Sequence, residues 1–270
     1  MMNKNIIGRL REHLDKVEET YDNSWFVICL QGSQNYGIAD EESDIDSKCL
    51  VIPTAEELVF NKKPISHTLV MENDEHCDVK DIREYFKIVR KSNINFVEIF
   101  FTDWYIVNPR YSDLWKELRD NAEIIARINP YRACAAMRGM AYEKYHALEH
   151  EYPSRMHMIE KFGYDPKQLS HLMRIEYFFN KFLWRSSYRD CIRLNGSAQE
   201  KIYEVKRNGW DEFKEHCSYQ DKAAKVLANI DKMYENAKRI WEDKDKPLAS
   251  EILNKILWET IRRSLLEELI

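Results

Sequence analysis

The sequence predicts an α+β protein in which a small mixed β-sheet is followed by a mainly helical C-terminal region. Three observations support this class. Short apolar runs rich in β-branched residues are confined to the first 80 residues, the later segments follow helical periodicity, and the chain contains only seven glycines and seven prolines. With 270 residues, 44% of them hydrophobic, the chain is long enough for one large domain or two small ones. We predict a first domain over residues 1–108, with the sheet in about the first 105, and a helical domain over residues 109–270.

The predicted elements follow one another along the chain. An amphipathic helix comes first, and apolar runs bounded by turn residues predict strands in "SWFVICLQG", "SKCLVIPT" and "SHTLVMENDEHCDVK". "DIREYFKIVRKS" then changes to helical spacing. The helix that begins at Pro166 has a clear start, because Asp165 can cap its free amides and proline fits the first helical position. Helices are predicted over residues 131–149, 166–184, 198–206, 220–242 and 248–269.

Charge and cysteine content exclude several classes of protein. The net charge is −5 with acidic and basic residues well mixed, so no polybasic segment indicates binding to long nucleic acid or to a membrane surface. The six cysteines are scattered without zinc spacing and are predicted to be free thiols. No segment approaches the ~18 apolar residues of a membrane span, and the start lacks a signal peptide. We therefore expect a cytoplasmic protein without a membrane partner.

The segment "GSQNYGIADEESDID" carries the clearest chemical signal. Side chains alternate along a strand, so Asp44 and Asp46 point the same way, and two such carboxylates suit a hard divalent ion such as Mg²⁺. Upstream, Gly32 permits close approach of a ligand, Ser33 offers a hydroxyl and an amide, and Gly37 permits a positive φ. Each feature alone is common in loops. Their combination predicts a phosphoryl-transfer site.

This segment resembles the G-S-x-x-x-G-x5-S-D-x-D signature of the DNA polymerase beta superfamily of nucleotidyltransferases. Within it, the chain is most similar to the RNA-ligase-associated predicted nucleotidyltransferases, a group with phage and bacterial members. The resemblance implies that the Gly-Ser turn binds the phosphates of an NTP, that the two aspartates bind Mg²⁺ or Mn²⁺, and that a carboxylate on a neighbouring strand completes the site. The signature residues are Gly32, Ser33, Gly37, Ser43, Asp44 and Asp46.

The narrower resemblance covers most of the chain. It includes Tyr36 in the turn, "DVKDIREYFKIVRKSNINFVEIFF", "YDPKQLSHLMR" and "IYEVKRNG". Lys167, His171 and Arg174 stand at i, i+4 and i+7 on one helix, and the resemblance implies that they contact the nucleotide or its acceptor. The alternative is the solvated face of an amphipathic helix. Tyr36 either packs beneath the turn or stacks near the base.

Several acids compete for the role of third carboxylate. Asp81 directly precedes an apolar-periodic run, which predicts that it caps the helix beginning at Ile82. Asp78 ends a strand-like stretch with Cys77 and Val79 on the opposite face, and we predict that it is the catalytic base or a shared metal ligand. The acids of this segment are Glu72, Asp74, Glu75, Asp78 and Asp81.

Glu98 lies in a strongly apolar stretch, "NFVEIFF". A buried acid needs a partner, so it either caps a backbone turn or pairs with a base such as Arg83 or Arg90. We predict a structural role for Glu98.

Together these features predict a metal-dependent nucleotidyltransferase. Residues 1–108 form its catalytic domain and residues 109–270 line the cleft. It moves a nucleotidyl group from an NTP to a hydroxyl or phosphate acceptor and releases pyrophosphate, the acceptor being an RNA end, a protein or a small molecule. The alternative is an inactive nucleotide- or RNA-binding module, or a partner in a toxin–antitoxin or defence pair. The intact pair Asp44 and Asp46 favours the enzyme.

Overall fold

The computed structural model describes residues 5–41 and 43–268. Its strands are β1 Trp25–Gln31, β2 Asp46–Val51, β3 Ser66–Val70, β4 His76–Asp81 and β5 Tyr105–Val107. Its α-helices are α1 Ile6–Thr20, α2 Ser33–Tyr36, α3 Ala55–Val59, α4 Ile82–Arg90, α5 Ile94–Val97, α6 Ser112–Asp120, α7 Ala122–Ala126, α8 Pro130–His146, α9 Met156–Phe162, α10 Pro166–Leu183, α11 Tyr188–Ile192, α12 Gly196–Asn208, α13 Glu212–Glu215, α14 Tyr219–Ile240 and α15 Pro247–Glu268.

The five strands form one mixed sheet in the order β3-β4-β2-β1-β5. β2 and β4 are parallel, and the other neighbouring pairs are antiparallel. The predicted α+β class with a small mixed sheet is confirmed. The edge strand β5, at Tyr105–Val107, was not predicted, because three residues are too few to show an alternating pattern.

The chain divides into two compact units. The first unit contains the described residues up to Asn35, then Ala39–Asn129, and then those from Lys244 onward. The second unit contains Tyr36–Ile38 and Pro130–Asp243. This division differs from the predicted boundary after residue 108, because α6, α7 and α15 belong to the first unit.

The first unit has its core around the sheet. The apolar face of α1, including Leu10 and Leu14, packs against Ile28 of β1, Cys49 of β2 and Val79 of β4. Burial of these apolar side chains is the main force that holds α1 to the sheet.

Helix α15 packs on α4, α6 and α7 of the first unit. Its buried stripe includes Leu253 and Ile256. Arg263 holds both oxygens of Asp113 on α6, at 2.8 and 2.7 Å. Local patterning predicts such a helix but not the surface that it covers, which explains the difference from the predicted boundary. The predicted helix ran to Leu269, which lies outside the described residues, as does the predicted first-domain start at Met1.

The second unit is a helical bundle in which α10 packs against α8, α12 and α14. The predicted cap is confirmed, because the Asp165 side chain accepts a hydrogen bond of 2.9 Å from the Lys167 amide. Arg155 also forms an ion pair of 2.7 Å with Asp165. In the described parts of both units, no helix is at once long and apolar enough to cross a bilayer.

Candidate active site

The Gly-Ser turn begins where β1 ends. Gly32 has φ +90°, and the space where its Cβ would stand is open to 4 Å. Only glycine adopts this conformation without strain, so the backbone here is accessible to a ligand. Ser33 begins the short helix α2, and the Asn35 amide donates a hydrogen bond of 3.0 Å to the Gly32 carbonyl oxygen.

Two side chains support this turn from inside the first unit. The carboxylate of Glu98, which is 3% exposed, accepts a hydrogen bond of 3.0 Å from the Gly32 amide. Of the two structural roles predicted for Glu98, capping of a backbone turn or pairing with a base, the structure shows the first. The Asn35 side chain donates to the Leu30 carbonyl at 3.0 Å and accepts from the Thr102 hydroxyl at 2.7 Å. Sequence reasoning missed Asn35 and Thr102, which no motif marked.

Asp44 and Asp46 lie at the entrance to β2. Asp44 is exposed and forms no hydrogen bond or ion pair with any residue that the structure describes. Asp46 begins the strand and accepts a hydrogen bond of 3.1 Å from the His76 amide of β4. The His76 ring lies 3.4 Å from the same carboxylate. Both carboxylates therefore keep ligand positions open to solvent.

The backbone between the two aspartates is fixed by a buried acid. Glu75 accepts a hydrogen bond of 3.2 Å from the Ile45 amide through one carboxylate oxygen. Its other oxygen contacts Arg9 at 3.0 and 2.8 Å and His13 at 3.1 Å. The His13 ring also lies 2.8 Å from the Ser47 hydroxyl, so α1 connects directly to the residues that flank Asp46.

These contacts change the acidity of both buried groups. Burial alone raises the pKa of Glu75, but the hydrogen bonds from Arg9, the Ile45 amide and His13 reverse the sign, so its pKa lies below the ordinary value. Burial lowers the pKa of His13, although Glu75 opposes the shift. Glu75 was considered from the sequence only as a candidate third carboxylate. In the structure, Glu75 accepts a hydrogen bond from the Ile45 amide and so holds the backbone between the two aspartates.

Asp78 lies on β4 directly beside Lys48 of β2 in the parallel register. Its carboxylate forms an ion pair with Lys48 and a second one, of 3.0 Å, with Lys80. Lys48 is 2% exposed, and its ammonium lies 4.0 Å from the centre of the Phe96 ring. Sequence reasoning missed Lys48, although a lysine within an apolar strand is a signal that a partner carboxylate is near.

Ser43, directly before Asp44, is held by Asp40. Its hydroxyl donates a hydrogen bond of 2.8 Å to the Asp40 carboxylate and accepts one of 3.0 Å from the Asp40 amide. These hydrogen bonds fix the position of Ser43, the residue directly before Asp44. Binding of phosphate by Ser43 stays a prediction.

In the second unit, the three predicted site residues of α10 differ in exposure. Lys167 is exposed, His171 is half-buried and Arg174 is 4% exposed. The guanidinium of Arg174 lies 3.8 Å from the centre of the Tyr36 ring, and its Nε atom is buried without a hydrogen-bond partner. A solvated helix face does not describe Arg174, because that side chain is buried against an aromatic ring.

Residues of the second unit also hold the backbone of Tyr36–Ile38. The Leu194 amide donates a hydrogen bond of 3.0 Å to the Tyr36 carbonyl oxygen. The Gln199 side chain donates to the Gly37 carbonyl at 2.5 Å, and Lys206 donates to the Ile38 carbonyl at 3.2 Å. Gly37 has φ +78°, as its place in the signature predicts. Neither Gln199 nor Lys206 was identified as a site residue from the sequence.

Positive charge surrounds His171. Desolvation, followed by Arg174, Lys167 and two further lysines, lowers the pKa of His171 well below its ordinary value. The imidazole is therefore neutral at pH 7, and it offers a hydrogen bond rather than a charge. The two further lysines are Lys144 and Lys206.

Comparison with known families decides the assignment. Residues 6–175, more than half of the chain, match RlaP, the RNA repair pathway DNA polymerase beta family. The chain belongs to this family. The predicted membership of the DNA polymerase beta superfamily is confirmed, and the protein is nucleotidyltransferase-like. The RlaP match includes every predicted site residue from Gly32 to Arg174.

Among solved structures, this RlaP member is similar to the crystal structure of a nucleotidyltransferase-like protein from Exiguobacterium sibiricum. The sequence identity is 8% and the TM-score is 0.29, with 94% of this chain and 79% of that chain covered. No curated protein matches the chain.

The divalent ion expected for the superfamily requires oxygen ligands. Within residues 5–41 and 43–268, no three His, Cys, Asp or Glu side chains are grouped closely enough to hold a metal. Asp44 and Asp46 fit Mg²⁺ or Mn²⁺ by donor type and by their open positions. The Asp78 carboxylate does not fit in the same way, because two ammonium groups already occupy it.

Proposed function

We propose that this RlaP-family protein is a metal-dependent nucleotidyltransferase that moves a nucleotidyl group from an NTP to an RNA end. One observation carries the proposal. The open Gly32 turn and the solvent-accessible pair Asp44 and Asp46 lie in one unit, at the ends of the antiparallel neighbours β1 and β2. The choice of an RNA end rests on the family description, which names an RNA repair pathway.

Different residues of the first unit would bind the triphosphate and the metal ion. The amide and hydroxyl of Ser33, beside the accessible backbone of Gly32, bind the triphosphate. Asp44 and Asp46 hold Mg²⁺ or Mn²⁺. When bound, the ion neutralises the negative charge of the triphosphate.

In the reaction, an oxygen of the RNA end forms a bond to the α-phosphorus of the NTP. The bond from that phosphorus to the bridging oxygen breaks, and pyrophosphate leaves. A hydroxyl acceptor loses its proton to solvent or to a carboxylate, whereas a phosphate acceptor has none to lose. The site accelerates this transfer because it holds the reacting groups in line and supplies fixed charge.

We further propose that Lys167, His171 and Arg174 of α10 bind phosphate groups of the nucleotide or of its acceptor. Arg174 offers a planar fork of donors and Lys167 a mobile point charge. The neutral imidazole of His171 adds a hydrogen bond. Tyr36 holds the Arg174 guanidinium in place through its ring.

The proposal is tested with the full chain, each of the four NTPs labelled at the α-phosphate, and Mg²⁺ or Mn²⁺. RNA oligonucleotides with 3′-hydroxyl, 3′-phosphate or 5′-phosphate ends serve as acceptors. We expect label transfer to RNA and release of pyrophosphate, both abolished in the double variant Asp44→Asn/Asp46→Asn. That variant should remain folded, because relief of repulsion between two carboxylates does not destabilise the metal-free protein.

Asp15→Asn is the matched control, because Asp15 is an exposed aspartate of α1 without a partner among the described residues. It should retain full transfer. NTP binding without transfer for any acceptor would favour the alternative of a binding module. Transfer that survives in the double variant would exclude the proposed metal ligands.

A further inference from the structure

Lys48 is a cation built into the sheet of the first unit. Its side chain is 3% exposed, although it stands on β2 only two residues after Asp46. The ammonium pairs with Asp78 and lies 4.0 Å from the centre of the Phe96 ring. A buried ammonium requires both kinds of contact, because it has lost its hydration.

Lys48 and Asp46 share one face of β2. Ser47 and Cys49 point to the opposite face, where Ser47 contacts His13 and Cys49 joins the core under α1. Strand alternation therefore places the Lys48 stem on the same side as the Asp46 carboxylate. The positive charge of Lys48 therefore belongs to the face of β2 that carries Asp46.

The charges around Asp78 oppose a metal ion there. Lys48 and Lys80 together carry two positive charges against the single negative charge of Asp78. A divalent ion bound to Asp78 would be repelled by two ammonium groups and would leave Lys48 buried without its counter-ion. Asp44, by contrast, has no partner among the described residues, and Asp46 accepts from a neutral amide beside the half-exposed His76 ring.

We propose that Lys48 supplies, as a fixed cation held by Asp78, the positive charge that a second divalent ion would otherwise bring. The protein then takes up one divalent ion at Asp44 and Asp46. This inference rests on the proposed function. Lys48 is a positioning residue, because its buried ammonium acts through the field at the site and through Asp78.

Binding of Mn²⁺ to the full chain tests this inference without any substrate. The signal of free Mn²⁺ in electron paramagnetic resonance gives the number of bound ions and their Kd. We expect one ion for the natural chain and none for Asp46→Asn. Asp78→Asn should keep one ion, with a Kd within about threefold, because Asp78 is no ligand.

The number of Mn²⁺ ions bound by Lys48→Met tests the electrostatic role of Lys48. Loss of a purely structural lysine would not change that number. With the Lys48 ammonium removed, Asp78 keeps only its ion pair with Lys80 through one oxygen, so its other oxygen becomes available and the number of bound ions should rise to two. If Lys48→Met does not fold, the number of ions bound by Asp78→Asn still tests the inference. Asp15→Asn serves as the surface control and should leave the natural value unchanged.

Two results would overturn the inference. The first is loss of an ion, or a Kd raised more than tenfold, in Asp78→Asn. The second is a folded Lys48→Met variant that still binds a single ion. Retention of the ion in Asp46→Asn, or no ion in the natural chain, contradicts the proposed metal site itself. Failure of the Lys48 inference can therefore be told apart from failure of the proposed function.

Discussion

The buried carboxylate of Glu98 accepts a hydrogen bond of 3.0 Å from the backbone N–H of Gly32. This contact fixes the first peptide of the Gly-Ser turn from below and leaves the space above Gly32 open. The candidate phosphate-binding turn is therefore held in place before any ligand arrives.

Replacing Glu98 should weaken both the fold and the turn. Glu98→Ala removes the acceptor of the Gly32 amide, and the free energy of unfolding should fall by about 1–3 kcal/mol. NTP affinity should fall as well, because the turn is no longer fixed. Urea denaturation and calorimetric NTP titration measure the two effects.

Glu98→Gln retains an oxygen acceptor and should recover part of both losses. Glu251→Gln, on the exposed side of α15 and without a partner among the described residues, should change neither quantity. A Glu98→Ala variant with lower stability and normal NTP affinity would contradict the link between Glu98 and the turn.

Arg174→Ala should weaken binding of the nucleotide or its acceptor by about 1.5–3 kcal/mol, the range for a hydrogen bond to a charged group. The structure adds a stability cost of about 0.5–2 kcal/mol, because the guanidinium is buried on the Tyr36 ring. Calorimetric titration and thermal unfolding separate the two effects. Arg193→Ala, an exposed arginine of the same unit, is the control. Normal affinity for both ligands in Arg174→Ala would remove Arg174 from the site.

Glu75 should make stability depend on acid pH. Its pKa is lowered in the folded protein, so its contribution is present above the unfolded pKa of about 4.3 and is lost as pH falls through the folded pKa. Glu75→Gln should therefore cost about 1–3 kcal/mol at pH 7 and almost nothing below the folded pKa. Urea denaturation across this pH range gives the difference. A difference that does not change with pH would show that the charge of Glu75 is not what stabilises the fold.

Asp81→Ala should lower stability by about 0.5–2 kcal/mol through loss of the α4 cap. The Asp81 side chain accepts a hydrogen bond of 2.7 Å from the Arg83 amide, which confirms the predicted cap. Asp81→Asn should cost less, because asparagine also caps helices. Mn²⁺ binding should be unchanged in both variants. Altered Mn²⁺ binding would mean that Asp81 takes part in the site and is not only a cap.

Patterns within short segments of the sequence were sufficient to predict two helix caps, the fold class and the superfamily. The predicted caps Asp81 and Asp165 are confirmed because a cap depends only on the next few residues of the chain. The α+β class followed from where the periodicity changes. The G-S-x-x-x-G-x5-S-D-x-D spacing indicated the superfamily because its members lie in one short segment.

The tertiary structure alone decided which distant residues meet. The pair Lys48–Asp78 requires β4 to lie parallel beside β2, in one register out of several. The hydrogen bond from the Gly32 amide to Glu98, the one from the Ile45 amide to Glu75 and the docking of α15 likewise depend on packing between distant segments. A residue pattern determines which face of a strand or helix is apolar, because that follows from backbone geometry. It does not determine which surface covers that face, because many apolar partners bury similar area, and only packing of the whole chain selects one.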